Sequence, residues 1–309
     1  MRVAVIGGTG FVGGYLVDAL LDAGHEPALL VRSGSEGKVR RADACRLTTG
    51  ALSSADAVGA VLEGCDAAIY NVGILRESRR QGITFEELHF EGAVRVFDAA
   101  RAAGVRRVLL MSANGLRRPG TPYQEYKLRA EEYLERSGLD FTILRPSVIF
   151  GDPRGNTEIA TQLFRDMIRI PVPAVGFHTG LRPAKGPVLM SPVHVQDVAD
   201  AFVQALHNQA TFGGCYDLGG PEVLSWTAML RRIAAAVDKK KIVLPMPIGI
   251  MRIGATLFDW LPFFPVTRDQ LTMLVQGNVA ESDELQMLIG RDPAGFTAAN
   301  LDYLKNSQV

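Results

Sequence analysis

The chain contains 309 residues, and 33 Lys plus Arg are balanced by 33 Asp plus Glu, so its formal net charge is +0 and its pI is near 7.0. This balance excludes the strongly basic surface of a general nucleic-acid binder, and we expect no nucleic-acid partner. Apolar residues make up 47% and charged residues 21%, which is typical of a folded chain with a sizeable core rather than of a disordered one.

Cysteine and histidine usage predicts neither a disulfide framework nor a metal site. The three cysteines contain no CxxC pair, and the 5 histidines have no spacing typical of metal ligands. The N-terminus begins directly with strand-like residues and shows no signal-peptide pattern. We therefore expect a cytoplasmic protein.

In chain order, the first half alternates short apolar runs with helical patterns, which is typical of a parallel sheet with helices on both faces. The predicted strands are Arg2–Ile6, Pro27–Val31, Cys45–Leu47, Ala67–Asn71, Arg107–Met111 and Phe141–Leu144. The predicted helices are Val12–Ala23, Ser54–Leu62, Phe85–Ala103 and Pro122–Ser137. The sequence thus predicts an α/β fold, a Rossmann-type doubly wound parallel sheet, with residues 1–150 as its dinucleotide-binding domain.

After residue 150 the alternation weakens, and Pro171–Pro187 is predicted to be irregular because it is rich in Pro and Gly. A strand and turn at Val193–Gln196 precede a helix at Val198–His207, with Asp197 as the predicted cap. A further strand and turn at Cys215–Gly220 lead to a helix near Trp226–Val237. Because strand-like sequence returns here, we expect residues 151–309 to form mainly a smaller, interleaved substrate or docking lobe, with some segments returning to the Rossmann sheet.

A glycine-rich loop, Gly7-Gly8-Thr9-Gly10-Phe11-Val12-Gly13, follows the first strand and opens the first helix. Glycines at this point allow a tight turn and bring the backbone N–H groups of a helix N-terminus close to a pyrophosphate. The loop therefore predicts a dinucleotide site, and the residues expected to contact the cofactor are Gly7, Thr9, Gly10, Phe11, Val12 and Gly13.

The end of the second strand bears on the choice of dinucleotide. An acidic residue at this position would hold the ribose hydroxyl of NAD, whereas this chain has Arg32 and Ser33. A cation at the strand end attracts a ribose phosphate. The sequence accordingly favours NADP(H) and leaves NAD(H) as the alternative.

Tyr123 and Lys127 are spaced i and i+4, so they lie on one face of the predicted helix. A nearby ammonium favours the phenolate and is expected to lower the pKa of the phenol, which makes a general acid/base for carbonyl and alcohol chemistry. Ser112 follows the strand Arg107–Met111, at the edge of the sheet where ligands of such folds bind. We expect Ser112 to polarise a substrate oxygen beside Tyr123.

With these motifs the chain resembles the short-chain dehydrogenase/reductase superfamily, in its extended and atypical branches. The resemblance spans nearly the whole chain, and its second half is similar to the nucleotide-binding accessory subunit of respiratory complex I and its bacterial relatives. The resemblance implies that Asn71-Val72-Gly73 passes beside the cofactor ribose, which Lys127 also contacts, and that Pro146 and Ser147 in Arg145-Pro146-Ser147 contact the nicotinamide end.

The chain departs from the family pattern at two places. Gly50-Ala51 stands where many members have Gly-Asp, which removes an expected adenine contact, and His89 stands where many members have the Asn of the proton relay. On the Tyr123 helix, Glu131 and Glu132 are predicted to pair within the helix with Lys127 or Arg129.

An apolar stretch, Ile242–Pro265, is too strongly interrupted by prolines to span a membrane. We expect it to form a wall for an apolar substrate, a partner surface or a peripheral contact with a membrane. Three functions remain open from the sequence: an NADP(H)-dependent oxidoreductase acting on a carbonyl or alcohol of an apolar substrate, a non-catalytic NADPH-holding accessory or assembly protein of a respiratory membrane complex, and a nucleotide-sugar epimerase or dehydratase.

Overall fold

A computed structural model of the chain describes residues 1–179, 186–249 and 268–306. Its centre is a seven-stranded parallel sheet formed by β1 (Arg2–Ile6), β2 (Glu26–Val31), β3 (Arg46–Thr49), β4 (Ala67–Tyr70), β5 (Arg107–Met111), β6 (Asp140–Pro146) and β11 (Gly214–Leu218). The strand order is β11-β6-β5-β4-β1-β2-β3. This architecture confirms the predicted Rossmann-type sheet.

Three two-stranded sheets complete the strand pairing of the described residues. Their strands are β7 (Ile149–Phe150), β8 (Ala174–His178), β9 (Leu189–Met190), β10 (Val193–His194), β12 (Leu224–Ser225) and β13 (Val243–Pro247). β8 lies within the segment that was predicted to be irregular, and it pairs in parallel with β13. The prediction was wrong there because that strand is stabilised by a partner about 70 residues away, which local composition does not reveal.

Helices cover both faces of the large sheet. The α-helices are α1 (Phe11–Asp22), α2 (Ala55–Leu62), α3 (Gly92–Ala102), α4 (Pro122–Glu135), α5 (Ile159–Leu163), α6 (Val195–His207), α7 (Trp226–Ala236), α8 (Arg268–Gln276), α9 (Asp283–Ile289) and α10 (Tyr303–Asn306). The side chains of β1 alternate between the two faces, so Val3 and Val5 join a core with α1, α6 and α9. Ala4 and Ile6 join a second core with α2, α3 and α4.

The third hydrophobic core lies outside the large sheet. It is built by apolar residues of α5, α7, α8 and α10 together with β8 and β13. Phe150, at the end of β7, packs edge-on against Phe296 with ring centroids 4.7 Å apart. We refer to the residues of this third core as the smaller lobe.

The start of α6 differs from the predicted one. The helix begins at Val195, and its cap is His194, whose Nδ1 accepts a hydrogen bond from the Gln196 N–H at 3.3 Å. Asp197 lies inside the first turn, where its buried carboxylate accepts from the Ala294 N–H at 2.7 Å and pairs with Arg291 at 2.6 Å. The carboxylate binds residues that follow α9 instead of the free N–H groups of the first turn. The prediction that Asp197 caps the helix was therefore wrong.

The predicted helix Phe85–Ala103 is present as two joined pieces. Residues Glu86–Glu91 form a π-helical turn, and α3 continues from Gly92 without a break. The wider turn shifts the register of the side chains around His89, and π-helical turns are frequent at functional sites.

Candidate active site

The carboxyl ends of β1, β2, β4, β5 and β6 meet at one edge of the sheet, because these strands are parallel. This edge is where ligands bind in open α/β folds. The predicted cofactor and catalytic residues follow those strand ends, so the fold collects them from separate parts of the sequence.

Two glycines of the loop after β1 are required by the protein's own packing. Gly7 has φ +99, and a β-carbon there would lie 2.5 Å from the Asn71 carbonyl oxygen. A β-carbon on Gly13 would lie 2.1 Å from the Gly7 carbonyl oxygen. The loop is therefore folded tightly against α1 on one side and against the chain after β4 on the other.

Gly10 is not explained by packing, because a β-carbon at this position would have the Gly7 carbonyl oxygen as its nearest atom, at an ordinary 3.5 Å. Gly10 is also the N-cap of α1. Because glycine has no side chain, the first turn has no side-chain cap, and it contains no acidic residue. The free N–H groups and the open space fit a dinucleotide pyrophosphate. Thr9, Phe11 and Val12 border the same opening and are partly exposed.

Arg32 and Ser33 follow β2 and are exposed. Within the described ranges the Arg32 side chain has neither an ion-pair partner nor a hydrogen-bond acceptor. A guanidinium that no carboxylate neutralises is available for an anionic group of a ligand bound at the adjacent loop.

The chain after β4 packs beside the glycine loop. Asn71 donates its backbone N–H to the Ile6 carbonyl at 2.9 Å, and Val72 and Gly73 continue from there. The Ile74 N–H then donates to Nε2 of His89 at 3.0 Å. His89 thus fixes the course of the segment that the resemblance assigns to the cofactor ribose.

Tyr123 lies in the first turn of α4, where Thr121 and Gln124 form a reciprocal capping box. Its ring contacts the His89 ring edge-to-face with centroids 5.0 Å apart, and the Phe85 ring at 5.8 Å. Burial among these rings raises the pKa of Tyr123 above its ordinary value. The expectation that this pKa is lowered was wrong, because the effect of burial dominates and the phenol stays protonated.

Lys127 is buried, with 6% of its surface exposed, and its Nζ donates to the Met111 carbonyl at 3.0 Å. Nζ lies 5.8 Å from the centroid of the Tyr123 ring. Burial lowers the pKa of Lys127 to about 8, and Glu131 acts in the opposite direction. The lysine therefore carries its positive charge at neutral pH next to the end of β5.

Two buried polar atoms beside this pair have no hydrogen-bond partner among the described residues: Oγ of Ser112 and Nδ1 of His89. Burial and the charge of Lys127 lower the pKa of His89 to about 2, so its ring is neutral. Because Nε2 accepts from Ile74, Nδ1 carries the proton and is an unused donor. Unpaired buried donors are costly, and their grouping here indicates a ligand site.

Pro146 is the last residue of β6, and Ser147 follows it at the same edge of the sheet. The Ser147 side chain is buried, and its hydroxyl donates to the Ser191 carbonyl. The Asn114 N–H donates to the Pro146 carbonyl at 2.9 Å. Ser147 thereby joins the sheet to the smaller lobe, and its contact with a cofactor stays a prediction.

The predicted pairing of Glu131 and Glu132 within α4 was wrong. Glu131 is buried and binds Arg145 of β6 through two hydrogen bonds, one of them 2.9 Å long. Glu132 binds Arg118, in the segment before α4. Both carboxylates reach arginines outside the helix, because bidentate guanidinium pairing competes with the intrahelical geometry.

Sequence reasoning missed Asn114, which lies two residues beyond Ser112. Its Nδ2 is buried and has no partner in the described part of the chain. The residue lines a cavity of 290 Å³ between the end of β5 and the smaller lobe. Its position just beyond the strand end, two residues after Ser112 and on the same side, could have identified it from the sequence.

The described part of the apolar stretch is Ile242–Gly249, and residues 250–265 lie outside the described residues. Ile242 and Leu244 are exposed at 68% and 52%, whereas Ile248 is buried in the smaller lobe. In the ranges that the structure covers, no helix has the length and apolar character needed to cross a bilayer. The same ranges contain no group of three potential ligand side chains placed to hold a metal ion.

Comparisons with known proteins agree with this geometry. The model of a family described as NAD(P)H-binding matches residues 7–170. The chain is 28% identical to the ceramide reductase of Caulobacter vibrioides, across 84% of this chain and 78% of the relative. It is 27% identical to the mitochondrial NADH dehydrogenase (ubiquinone) 1 alpha subcomplex subunit 9 of Arabidopsis thaliana, across 91% of this chain and 70% of the relative.

Among solved structures, an NADPH-dependent quinone oxidoreductase from Escherichia coli superposes with a TM-score of 0.71. The superposition covers 99% of both chains at 16% identity. At that identity the likeness establishes a shared fold.

Proposed function

Because the chain belongs to the NAD(P)H-binding, Rossmann-type family of atypical short-chain dehydrogenases/reductases and epimerase-like proteins, we propose that it is an NADP(H)-dependent oxidoreductase acting on a carbonyl or alcohol of an apolar substrate. The observation that carries this proposal is the buried Oγ of Ser112, which has no partner among the described residues and follows Met111, the residue whose carbonyl binds Lys127. A hydroxyl left unpaired in this position is suited to a substrate oxygen.

The chemistry follows from the protonation states. When bound, the dinucleotide supplies or accepts the hydride. In the direction of reduction, Ser112 donates a hydrogen bond to the carbonyl oxygen, and the protonated phenol of Tyr123 gives its proton to that oxygen. The positive charge of Lys127 stabilises the phenolate that remains, until a proton from water restores the phenol.

The preference for NADP(H) rests on Arg32. Its exposed guanidinium follows β2, without a carboxylate partner among the described residues, on the side of the sheet where the ribose phosphate would lie. NAD has no phosphate on this ribose, so the Arg32 guanidinium would have no anionic group to bind there.

The apolar character of the substrate is supported by the side chains at the mouth of the site. Leu189 and Val279 are exposed at 37% and 44% beside the cavity next to Asn114. One relative is named a ceramide reductase, and this similarity supports a substrate with long apolar parts.

The test is to identify the nucleotide that co-purifies with the protein and then to follow its oxidation after adding aliphatic ketones and aldehydes. We expect NADPH or NADP⁺, and oxidation of NADPH that depends on the added carbonyl compound. Tightly held NAD⁺ would indicate an epimerase or dehydratase instead, and NADPH that no carbonyl compound oxidises would contradict the proposal.

The second candidate is an accessory or assembly protein that holds NADPH without turnover. A surface patch favours it: the exposed apolar side chains of Ile170, Val172, Ile242 and Leu244 lie beside the cationic segment Lys239–Lys241. Lys241 joins the two halves of the patch, because its Nζ donates to the carbonyls of Ile168 and Ile170. Similarity to a subunit of a mitochondrial NADH dehydrogenase supports the same candidate.

Sedimentation with vesicles that contain anionic lipid tests this candidate. Binding that is lost in an Ile242→Ser, Leu244→Ser variant, combined with the absence of turnover, would favour the accessory role. A protein that stays in the supernatant and oxidises NADPH would exclude it.

A further inference from the structure

We infer that Asn114 and the cavity beside it form a second polar subsite, which selects carbonyl substrates with another hydrogen-bond-accepting oxygen on the order of 7 Å from the reacting oxygen. The inference rests on the proposed oxidoreductase function and adds to it the class of substrate. The three observations that carry it are the course of the chain after β5, the unused amide of Asn114 and the composition of the cavity wall.

The chain continues in strand geometry beyond the end of β5. The Ser112 N–H donates to the Leu144 carbonyl at 2.8 Å, and the Asn114 N–H donates to the Pro146 carbonyl at 2.9 Å. These bonds continue the parallel pairing of β5 with β6. In such a segment, side chains two residues apart point to the same side, about 6.8 Å from each other.

Ser112 and Asn114 are therefore neighbouring polar groups on one side of an extended segment. Oγ of Ser112 and Nδ2 of Asn114 are both buried, and neither has a hydrogen-bond partner in the described structure. A single buried polar atom without a hydrogen-bond partner can result from local packing alone. Two of them in register, at the edge of the sheet where ligands bind, indicate a ligand that has two acceptor oxygens.

Two other polar residues that line the cavity, Arg117 and Gln276, have hydrogen-bond partners. Gln276 accepts at its Oε1 from Nε2 of Gln124 at 2.9 Å, and its carbonyl accepts from Arg117 at 3.5 Å. Gln124 also donates to the Gly115 carbonyl at 3.0 Å. These contacts fix the wall next to the turn of α4 that contains Tyr123, whereas the buried Nδ2 of Asn114 has no partner among the described residues.

Part of the cavity wall is apolar. The cavity volume is 290 Å³, and Leu189, Val275 and Val279 line it together with Pro187. A substrate that fits this part of the wall has an apolar chain joining its two oxygens. The first oxygen reacts beside Ser112 and Tyr123, and the second accepts a hydrogen bond from Asn114 without reacting.

Two ketones of equal size test the subsite. Methyl hexyl ketone has a purely apolar chain, and the methyl ketone with a terminal methoxybutyl chain has an ether oxygen in place of one methylene, five bonds from the carbonyl carbon. The measurement is kcat/KM for NADPH oxidation with each ketone, in the wild-type protein and in Asn114→Leu and Asn114→Asp. Asn306→Leu, at an exposed position on α10, is the matched control.

We expect the ratio of kcat/KM for the ether ketone over the plain ketone to fall about tenfold in Asn114→Leu and in Asn114→Asp, and to stay unchanged in Asn306→Leu. The affinity for NADPH, measured by its fluorescence, should be the same in all four proteins. A ratio that the Asn114 variants leave unchanged would overturn the subsite while leaving the oxidoreductase function intact.

Turnover of neither ketone by the wild-type protein would count against the proposed function, and the subsite is then tested by binding. The thermal melting temperature of the NADPH-bound protein is measured with each ketone. Stabilisation by the ether ketone that disappears in Asn114→Leu supports the subsite, and equal stabilisation in both proteins overturns it.

Discussion

Nζ of Lys127 donates a hydrogen bond to the Met111 carbonyl at 3.0 Å, and this bond joins the Tyr123 helix to the last residue of β5. Ser112 is the next residue along the chain, so one contact sets the spacing between the phenol and the unpaired serine hydroxyl. The bond also holds the lysine charge at the edge of the sheet, where burial lowers its pKa to about 8. The arrangement explains how residues from two separate elements form one site.

We expect the hydroxyl of Ser112 to lower the stability of the folded protein and to contribute to the reaction. Its Oγ is buried and unpaired, so Ser112→Ala should leave the free energy of unfolding unchanged or raise it by up to about 1 kcal/mol. The same change should lower kcat/KM for a ketone about 10- to 100-fold, since the substrate oxygen loses a donor. Chemical denaturation and steady-state kinetics measure the two effects.

Ser147→Ala is the matched comparison for that prediction. The Ser147 hydroxyl donates to the Ser191 carbonyl in the interior, so its removal should lower the free energy of unfolding by about 1 to 3 kcal/mol. If Ser112→Ala destabilised the protein as strongly as Ser147→Ala, the Ser112 hydroxyl would have a structural partner and the interpretation of the site would fail.

Gly10 and Gly14 give a matched pair for the cofactor loop. A β-carbon at either position meets no close atom of the protein, so both alanine variants should fold. Gly14→Ala lies inside α1 and should raise the free energy of unfolding by about 0.5 to 1 kcal/mol without changing NADPH binding. Gly10→Ala places a methyl group where the pyrophosphate approaches, and we expect at least a roughly tenfold loss of NADPH affinity in a fluorescence titration.

Arg32→Ala tests the choice of dinucleotide. The loss of a cation that contacts the ribose phosphate should weaken NADPH binding about tenfold and leave NADH binding unchanged. Calorimetric titration of both nucleotides gives the ratio of the two affinities. Arg101→Ala, an exposed cation on α3, should leave that ratio unchanged, and an unaltered ratio in Arg32→Ala would remove the argument for NADP(H).

His89 should make the cofactor-free protein sensitive to acid. Its pKa is lowered from 6.5 to about 2 in the folded state, first by burial and then by the charge of Lys127. Between these two values the unfolded chain binds the additional proton, so stability rises with pH and is lost as the pH falls below 6.5. The contribution amounts to at most about 1.4 kcal/mol per pH unit.

His89→Asn removes this titration. The unfolding free energy of the wild-type protein minus that of the variant should decrease steadily as the pH falls from 6.5, as measured by urea denaturation at several pH values. A constant difference across that range would mean that the imidazole binds its proton as readily in the folded protein as in the unfolded chain, so that its pKa is not lowered by folding.

The sequence predicted the sheet well because its strands are apolar on both faces, so that β1 and β5 have the predicted bounds Arg2–Ile6 and Arg107–Met111. The glycine loop was predictable for a similar reason, since three glycines in one register have a local geometric cause. These features depend on neighbouring residues and are therefore visible in a single sequence.

The errors concern side chains whose partners are distant in the sequence. Asp197 is paired with Arg291, and Glu131 with Arg145, and neither arginine is marked as a partner by spacing or composition. The raised pKa of Tyr123 results from burial against His89 and Phe85, which the i and i+4 spacing to Lys127 does not reveal. Tertiary contacts decided these outcomes.

The most direct test of the account is a single turnover of bound NADPH by Tyr123→Phe. The protein is loaded with NADPH and mixed with a ketone that the wild-type protein reduces, and the nicotinamide absorbance is followed; Tyr126→Phe, on the same helix, is the control. We predict unchanged NADPH affinity, with oxidation slowed about 100- to 10,000-fold in Tyr123→Phe and unaffected in Tyr126→Phe. Oxidation at the wild-type rate in Tyr123→Phe would contradict the assignment of the proton donor.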